Sequence, residues 1–276
     1  MRLGGFFEES FTDPDAWIAI LRDKAFNAAY FPFRVPLYGA MPDEATVRAY
    51  ADAAAAADIV IAEVGAWGRN YMDPDPAVRR QAIGETSALL DIAERADARC
   101  VVNSAGWHEN GADSFSDDTF ALIVDTVREI LAPVKPTRTA FTLELVPNIF
   151  PYSVDTCLDL IRAVDRPGFA VHLDPANIVD NAYKYHRSGE FLRDCFRRLG
   201  PLIRSCHAKD VVLDPGPILH IRETRPGLGA MDFRTFVREA VRINPDMPIM
   251  LEHLDTNAEY AAAAAHVRAM AAEREP

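Results

Sequence analysis

Four segments in the second half of the chain carry residues that bind divalent metals: Phe141-Thr142-Leu143-Glu144, Val171-His172-Leu173-Asp174, Ser205-Cys206-His207-Ala208-Lys209-Asp210 and Met250-Leu251-Glu252-His253. If Glu144, Asp174, His207 and Glu252 meet, three carboxylates and one imidazole occupy one small space, and like charges a few ångströms apart resist joint ionisation. A divalent cation removes that conflict. Oxygen donors with a single nitrogen point first to Mn²⁺, with Mg²⁺, Co²⁺ or Zn²⁺ as further options. Four protein ligands leave room in an octahedral shell for two substrate oxygens or waters.

For these groups to meet, each segment must be a strand that turns its metal-binding group to one face. Side chains alternate along a strand. With Glu144, Asp174 and Glu252 facing inward, Phe141, Leu143, Leu145, Phe169, Val171, Leu173, Ile249 and Leu251 all point outward to pack under helices, while Thr142, Ala170 and His172 share the inner face. The same parity turns Ser205, His207 and Lys209 inward. The whole chain repeats this plan. Candidate strands span Arg2–Phe6, Ala28–Phe33, Ile59–Val64, Cys100–Ser104, Ala140–Val146, Phe169–Asp174, Ile203–Lys209 and Pro248–Leu254. Helical patterns follow them at roughly 14–23, 43–57, 76–97, 117–131, 154–165, 189–199, 233–243 and 257–272. Asp13-Pro14 supplies a cap and a first-turn proline; Ser153 precedes the fifth helix, and Thr256 with Glu259 reads as a capping box. Regular strand–helix alternation implies parallel strands with crossover helices. Eight units in 276 residues match a single (β/α)₈ TIM barrel over residues 1–276, whose active site lies at the C-terminal strand ends. A doubly wound sheet would need a Gly-rich first turn; Gly4-Gly5 runs instead into Phe6-Phe7-Glu8.

Composition narrows the function classes. Lys+Arg number 29 against 41 Asp+Glu, a net charge of −12, so phosphate backbones are repelled and no nucleic-acid partner is expected. No apolar run reaches membrane-span length, and the N-terminus lacks a signal-peptide pattern. The cysteines Cys100, Cys157, Cys195 and Cys206 show no CxxC spacing and read as reduced packing thiols of a cytoplasmic protein. The glycines at 227 and 229 do not follow a strand as a dinucleotide fingerprint would and read as a flexible turn.

Leu-Glu-Leu at 143–145, Leu-Asp-Pro-Ala-Asn at 173–177, His-Ala-Lys-Asp at 207–210, Pro-Gly-Leu-Gly-Ala-Met-Asp-Phe at 226–233 and Leu-Glu-His at 251–253, taken together and in this order, resemble the xylose isomerase-like TIM-barrel superfamily, above all its sugar phosphate isomerase/epimerase branch. The resemblance implies one divalent metal on Glu144, Asp174, His207 and Glu252, with Glu144 and Glu252 as the acid/base pair. It also implies a carbohydrate-like substrate and a homo-oligomer, dimer or tetramer. Relatives acting on free ketoses often carry a histidine three residues after the metal-binding Asp and an arginine six after the metal-binding His; here Asn177 and Leu213 stand there.

The implied chemistry is an isomerase or epimerase of a keto sugar or polyol. The metal chelates adjacent carbonyl and hydroxyl oxygens and stabilises the enediolate formed when a base removes the α-proton. The alternative is a lyase or dehydratase acting on an oxo-sugar, inosose or 3-oxo-glycoside, in which the same enediolate expels a β-leaving group. An endonuclease-like phosphodiesterase would need further metal ligands from the early strands, and Phe31-Pro32-Phe33 and Val64-Gly65-Ala66-Trp67 supply none beyond Glu63. A binding subunit without activity would be expected to have lost ligands. Around the centre, His172 and Glu63 read as buried supports of the metal site. Trp67 and Trp107 stack on a sugar or pack within their loops, His108 is a loop acid/base candidate, and Asn177 binds a hydroxyl or caps a loop. Lys209 touches substrate or forms an ion pair, and Arg222 reads a phosphate or carboxylate unless it is simply solvated.

Overall fold

The structure, a computed structural model, describes residues 1–33 and 39–273. Eight parallel strands form the wall of a TIM barrel: β1 (Arg2–Gly5), β2 (Ala28–Tyr30), β3 (Val60–Gly65), β4 (Cys100–Asn103), β5 (Phe141–Glu144), β6 (Phe169–Leu173), β7 (Ile203–Ala208) and, after a two-stranded insertion, β10 (Pro248–Leu251). The order round the wall is β1-β10-β7-β6-β5-β4-β3-β2. Where β1 meets β2 the ring is joined by one residue: Leu3 N donates to Asn27 Oδ1 at 2.7 Å and Asn27 N donates to Leu3 O at 3.0 Å.

The helices are α1 (Pro14–Asp23), α2 (Glu44–Ala56), α3 (Pro76–Arg95), α4 (Asp117–Leu131), α5 (Val154–Val164), α6 (Ala182–His186), α7 (Ser188–Leu199), α8 (Phe233–Ile243) and α9 (Asn257–Ala272). Short polar side chains start most of them by accepting a free first-turn N–H. Asp13, Asp43, Asp75, Ser116, Ser153, Asn181, Asp232 and Thr256 all do so. At α5 the reciprocal box pairs Ser153 with Thr156. At α9 Glu259 does not close the expected box, because its carboxylate accepts from Asp255 N, one residue before the Thr256 cap. Among the described residues no helix is long and apolar enough to cross a membrane.

The inward/outward alternation is carried by the packing. Phe141, Leu143, Leu145, Phe169, Val171, Leu173, Ile249 and Leu251 all join the large apolar layer between wall and helices. The lumen holds a separate, small cluster of Ala28, Ala62 and Met250, with Tyr30 against it. A Cβ at Gly4 would lie 2.4 Å from Ala28 O and 2.7 Å from Met250 Cε, so glycine there lets Met250 fill the barrel floor. The four cysteines are buried free thiols.

Three expectations need correction. Every strand but β3, which is shifted by one residue to Val60–Gly65, is shorter than its expected span, and β10 stops at Leu251, leaving Glu252 on the first residue past the strand. The segment after β7 does not remain irregular: β8 (Asp210–Leu213) and β9 (Ile221–Thr224) form an antiparallel hairpin over the barrel mouth. The turn around Gly227 and Gly229 is pinned rather than loose. Buried Asp210 accepts from Gly227 N (3.0 Å), Gly229 N (2.9 Å) and Met231 N (2.9 Å), so one carboxylate satisfies three loop donors.

Candidate metal centre

Glu144 ends β5, Asp174 follows β6, His207 lies in β7 and Glu252 follows β10, and each offers a ligand atom within 4.8 Å of the other three. His207 Nδ1 is the hub, 2.7 Å from Glu252 Oε1, 3.2 Å from Glu144 Oε1 and 3.8 Å from Asp174 Oδ2. All four residues are buried. Asp174 Oδ2 and Glu252 Oε1 accept no aligned hydrogen bond although both are shielded from solvent, and such oxygens are costly unless something cationic meets them. Lys209 supplies part of that charge, with Nζ 2.8 Å from Asp174 Oδ2 and 2.6 Å from Glu252 Oε1. One ammonium against this many carboxylates leaves a negative cage. Three oxygen donors and one nitrogen, in a cage whose negative charge Lys209 offsets only in part, fit a hard or borderline divalent cation,.

A second group of residues orients the hub. Glu63 Oε2 accepts from His207 Nε2 at 3.1 Å, and Glu63 Oε1 accepts from His172 Nε2 at 3.1 Å and from the Ser205 hydroxyl. With Glu63 accepting from both imidazoles through Nε2, the His207 Nδ1 that faces the carboxylates is the position a metal could take in place of a proton, the arrangement that carboxylate–histidine–metal sites use,. Glu63 reaches the lumen because β3 is irregular. Ala29 pairs with Ile61 but Tyr30 pairs with Glu63, so Ala62 is an extra residue and the strand beyond it turns over,. Sequence reasoning missed Tyr30, whose hydroxyl lies 3.4 Å from His207 Nε2 and whose ring stacks on Phe6 at 3.9 Å. Its signal was parity, since it shares the inner face of β2 with Ala28.

Charge and burial compete throughout. Burial drives the His207 imidazole toward neutrality, but Glu63, Glu252 and Glu144 outweigh it and hold its pKa well above the usual histidine value. Burial also penalises the Glu63 and Glu144 carboxylates, yet the facing imidazoles keep both below the ordinary range. Glu252 is pulled down to about 2 by His207 and Lys209 against the same penalty. Asp174 goes the other way: burial pushes it up to about 6, despite Lys209. Lys209 loses solvent but gains Asp174, Glu252 and Glu144, and its pKa rises.

The family model for the xylose isomerase-like TIM barrel matches residues 18–270. The chain belongs to that family. A search of curated proteins finds no match. Among solved structures, the probable 3-DHS dehydratase AsbF of petrobactin synthesis from Bacillus anthracis is 18% identical, with TM-score 0.71 and 99% of both chains covered. Endonuclease IV from Thermus thermophilus is 14% identical, with TM-score 0.76 over 98% of this chain and 99% of that one. The 3-keto-D-glucoside 4-epimerase YcjR from E. coli is 13% identical, with TM-score 0.69 over 98% and 99%. At such identities the likeness is one of fold.

In this xylose isomerase-like barrel the remaining candidates divide. Asn177 touches the centre, donating to Glu144 Oε1 at 3.2 Å and to Leu145 O at 3.3 Å. Trp67 covers it, its ring 6.2 Å from that of His207. A Cβ on Gly65 would sit 2.6 Å from the Trp67 indole, so glycine permits the indole to fold back. Asn70 ties the two tryptophan loops together, donating to Trp107 O and accepting from Trp107 N, yet Trp107 itself is 54% exposed. His108 is not brought to the centre: its Nε2 lies 2.8 Å from Thr119 Oγ1 at the start of α4. Arg222 stands on β9, ion-paired to Asp214 at 3.0 Å.

Proposed function

We propose that this barrel is a divalent-metal-dependent isomerase or epimerase of a keto sugar or related polyol. The observation that carries the reading is the convergence of Glu144, Asp174, His207 and Glu252 at the C-terminal barrel mouth, with two carboxylate oxygens lacking aligned donors. These four residues would hold the ion, with Mn²⁺ the first candidate. A bound ion supplies Lewis acidity at a substrate carbonyl and so acidifies the neighbouring C–H. Glu144 ends β5 and Glu252 follows β10, on different sides of the site. One takes the α-proton and the other returns it; delivery to the opposite face inverts the carbon, and delivery to the adjacent carbon moves the carbonyl. Asn177 is placed to orient a hydroxyl beside Glu144, and the Lys209 ammonium, between Asp174 and Glu252, offsets negative charge developing on oxygen. Trp67 covers the site and limits its access to water.

The likeness to a probable dehydratase supports a second reading, a lyase or dehydratase on an oxo-sugar, inosose or 3-oxo-glycoside, which shares the proton abstraction and differs in what leaves. One experiment separates the possibilities. The protein is stripped with EDTA, reloaded with Mn²⁺ and incubated with a panel of ketoses and oxo-glycosides, and products are weighed by mass spectrometry. Metal-restored turnover with conserved mass is the expected result. Loss of water or an aglycone selects the lyase, and full activity after verified metal removal rejects both.

A further inference from the structure

The β8–β9 hairpin does more than cover the mouth. Beneath it lies a cavity of about 350 Å³ whose wall includes Asn177, Val179, Val211, Leu219, Ile221 and Glu223. Two of these residues reach the metal centre. Asn177 Nδ2 is 3.2 Å from Glu144 Oε1, and Lys209 Nζ is 3.5 Å from Asn177 Oδ1 and 3.9 Å from Glu223 Oε2. Asn177 and Glu223 thus set the cavity wall directly beside the metal centre, and the cavity's volume falls at the small end of ligand pockets,.

Its chemistry restricts the occupant. The apolar part of the wall is contributed by Val179, Val211, Leu219 and Ile221. The nearby charges do not favour an anion. Arg222, the cationic residue of the lining, is engaged by Asp214 at 3.0 Å, while Asp180 and Glu223 bring carboxylates to the wall and the barrel mouth beside it is carboxylate-rich. A phosphate would meet that repulsion, and the Arg222 guanidinium that faces it is already shared with Asp214,. Building on the proposed carbohydrate reading, we infer that this cavity holds the distal part of the substrate, and that this part is an uncharged group with an apolar face, an aglycone or second ring of a glycoside, rather than a phosphate.

The test is direct binding to the full chain, measured by titration calorimetry with methyl β-D-glucopyranoside, 4-nitrophenyl β-D-glucopyranoside and glucose 6-phosphate. Burying one aromatic ring against the hairpin should make the nitrophenyl glycoside bind about tenfold tighter than the methyl one, or more. Leu219→Asp, at a half-exposed position that leaves the barrel core untouched, should erase the difference, and Ile221→Asn should reduce it. Glucose 6-phosphate should bind no tighter than the methyl glycoside. Equal affinities, no measurable binding of either glycoside, a preference that survives both variants, or phosphate binding that Arg222→Ala abolishes would each overturn the inference. Turnover is scored separately with the metal-loaded protein. An aromatic preference kept by a protein without metal-dependent turnover upholds the cavity assignment and sinks the reading of the centre.

Discussion

Replacing Glu63 by glutamine removes one charge and almost no volume, and so isolates what that carboxylate does. Its two oxygens accept from His207 Nε2 and His172 Nε2, each at 3.1 Å, and from the Ser205 hydroxyl, all without solvent access. A glutamine has one acceptor oxygen. Whichever way the amide turns, its NH₂ faces an imidazole N–H, and that ring must shift its proton to Nδ1 or lose its partner. If His207 shifts, the nitrogen that faces Glu144, Asp174 and Glu252 no longer has a lone pair for a metal. Losing a buried hydrogen bond to a charged group costs about 1.5–3 kcal/mol, which agrees with the ~10–100-fold losses in metal affinity seen when outer carboxylates of such sites are changed. The expected result is a Mn²⁺ dissociation constant raised ~10–100-fold in Glu63→Gln, read by calorimetry or by the electron paramagnetic resonance signal of free Mn²⁺, with an unchanged circular dichroism spectrum. Glu63→Asp keeps the charge one methylene short and should fall between. Glu63→Gln protein that is folded and binds Mn²⁺ within about twofold of wild type would refute the clamp, since a tenfold change is only about 1.4 kcal/mol.

Glu144→Gln and Glu252→Gln should each lower kcat by ~10²–10⁴-fold while the barrel stays folded; normal turnover in either removes it from the acid/base pair. Glu94 on α3 gathers the strand-entry loop before β5, accepting from the Thr137 hydroxyl (2.6 Å) and from the backbone N–H groups of Thr137, Arg138 and Thr139. Partial burial raises its pKa, but these donors win and pull it down to about 2. A carboxyl held below its unfolded value contributes stability that is complete above about pH 4.5 and disappears as the pH falls toward about 2. Glu94→Gln should therefore melt lower at pH 7, by about 1–2 kcal/mol after allowance for solvent screening, and the gap from wild type should close between pH 4.5 and 2; a pH-independent gap refutes the charge argument. Asp210→Ala strands three loop N–H groups, so amide exchange at Gly227, Gly229 and Met231 should quicken at least tenfold, and unchanged protection would show that the loop holds itself.

The barrel wall was legible because one physical rule governs most of its residues. On β5 and β6 a large apolar group alternates with a small or polar one, and only one assignment of faces keeps Phe141 and Phe169 out of the lumen while turning Glu144 and His172 in. Position within the barrel then followed from parity and strand end. The donors could be read for a further reason: Glu144 ends its strand, Asp174 and Glu252 sit just past theirs, and His207 is one residue from the end of its own, where parity still holds. Loop residues have no such rule. His108 had suitable chemistry, but its partner, Thr119, was set by a loop path that no periodicity encodes, and Arg222 sits on the hairpin beyond the barrel pattern, paired with Asp214.

The least legible parts are those where regularity is interrupted, and there the interruptions serve the centre. An unbroken β3 could not put both Ala62 and Glu63 in the lumen; the extra residue at Ala62 allows a small group to pack on Met250 and the next residue to reach two histidines. The hairpin was missed because the seventh candidate strand ends at Lys209 and leaves Val211-Val212-Leu213 with no element of its own, although Asp214-Pro215-Gly216 is a turn signal and Ile221-Arg222-Glu223-Thr224 returns in register from Leu213↔Ile221 to Asp210↔Thr224. That register fastens Glu223 opposite Val211, close enough for its carboxylate to approach Lys209 and His253. A surface insertion is thus linked to the buried donors through Lys209. Changes in hairpin length should alter which substrates are accepted, because they move the cavity wall without moving the four residues proposed to hold the metal.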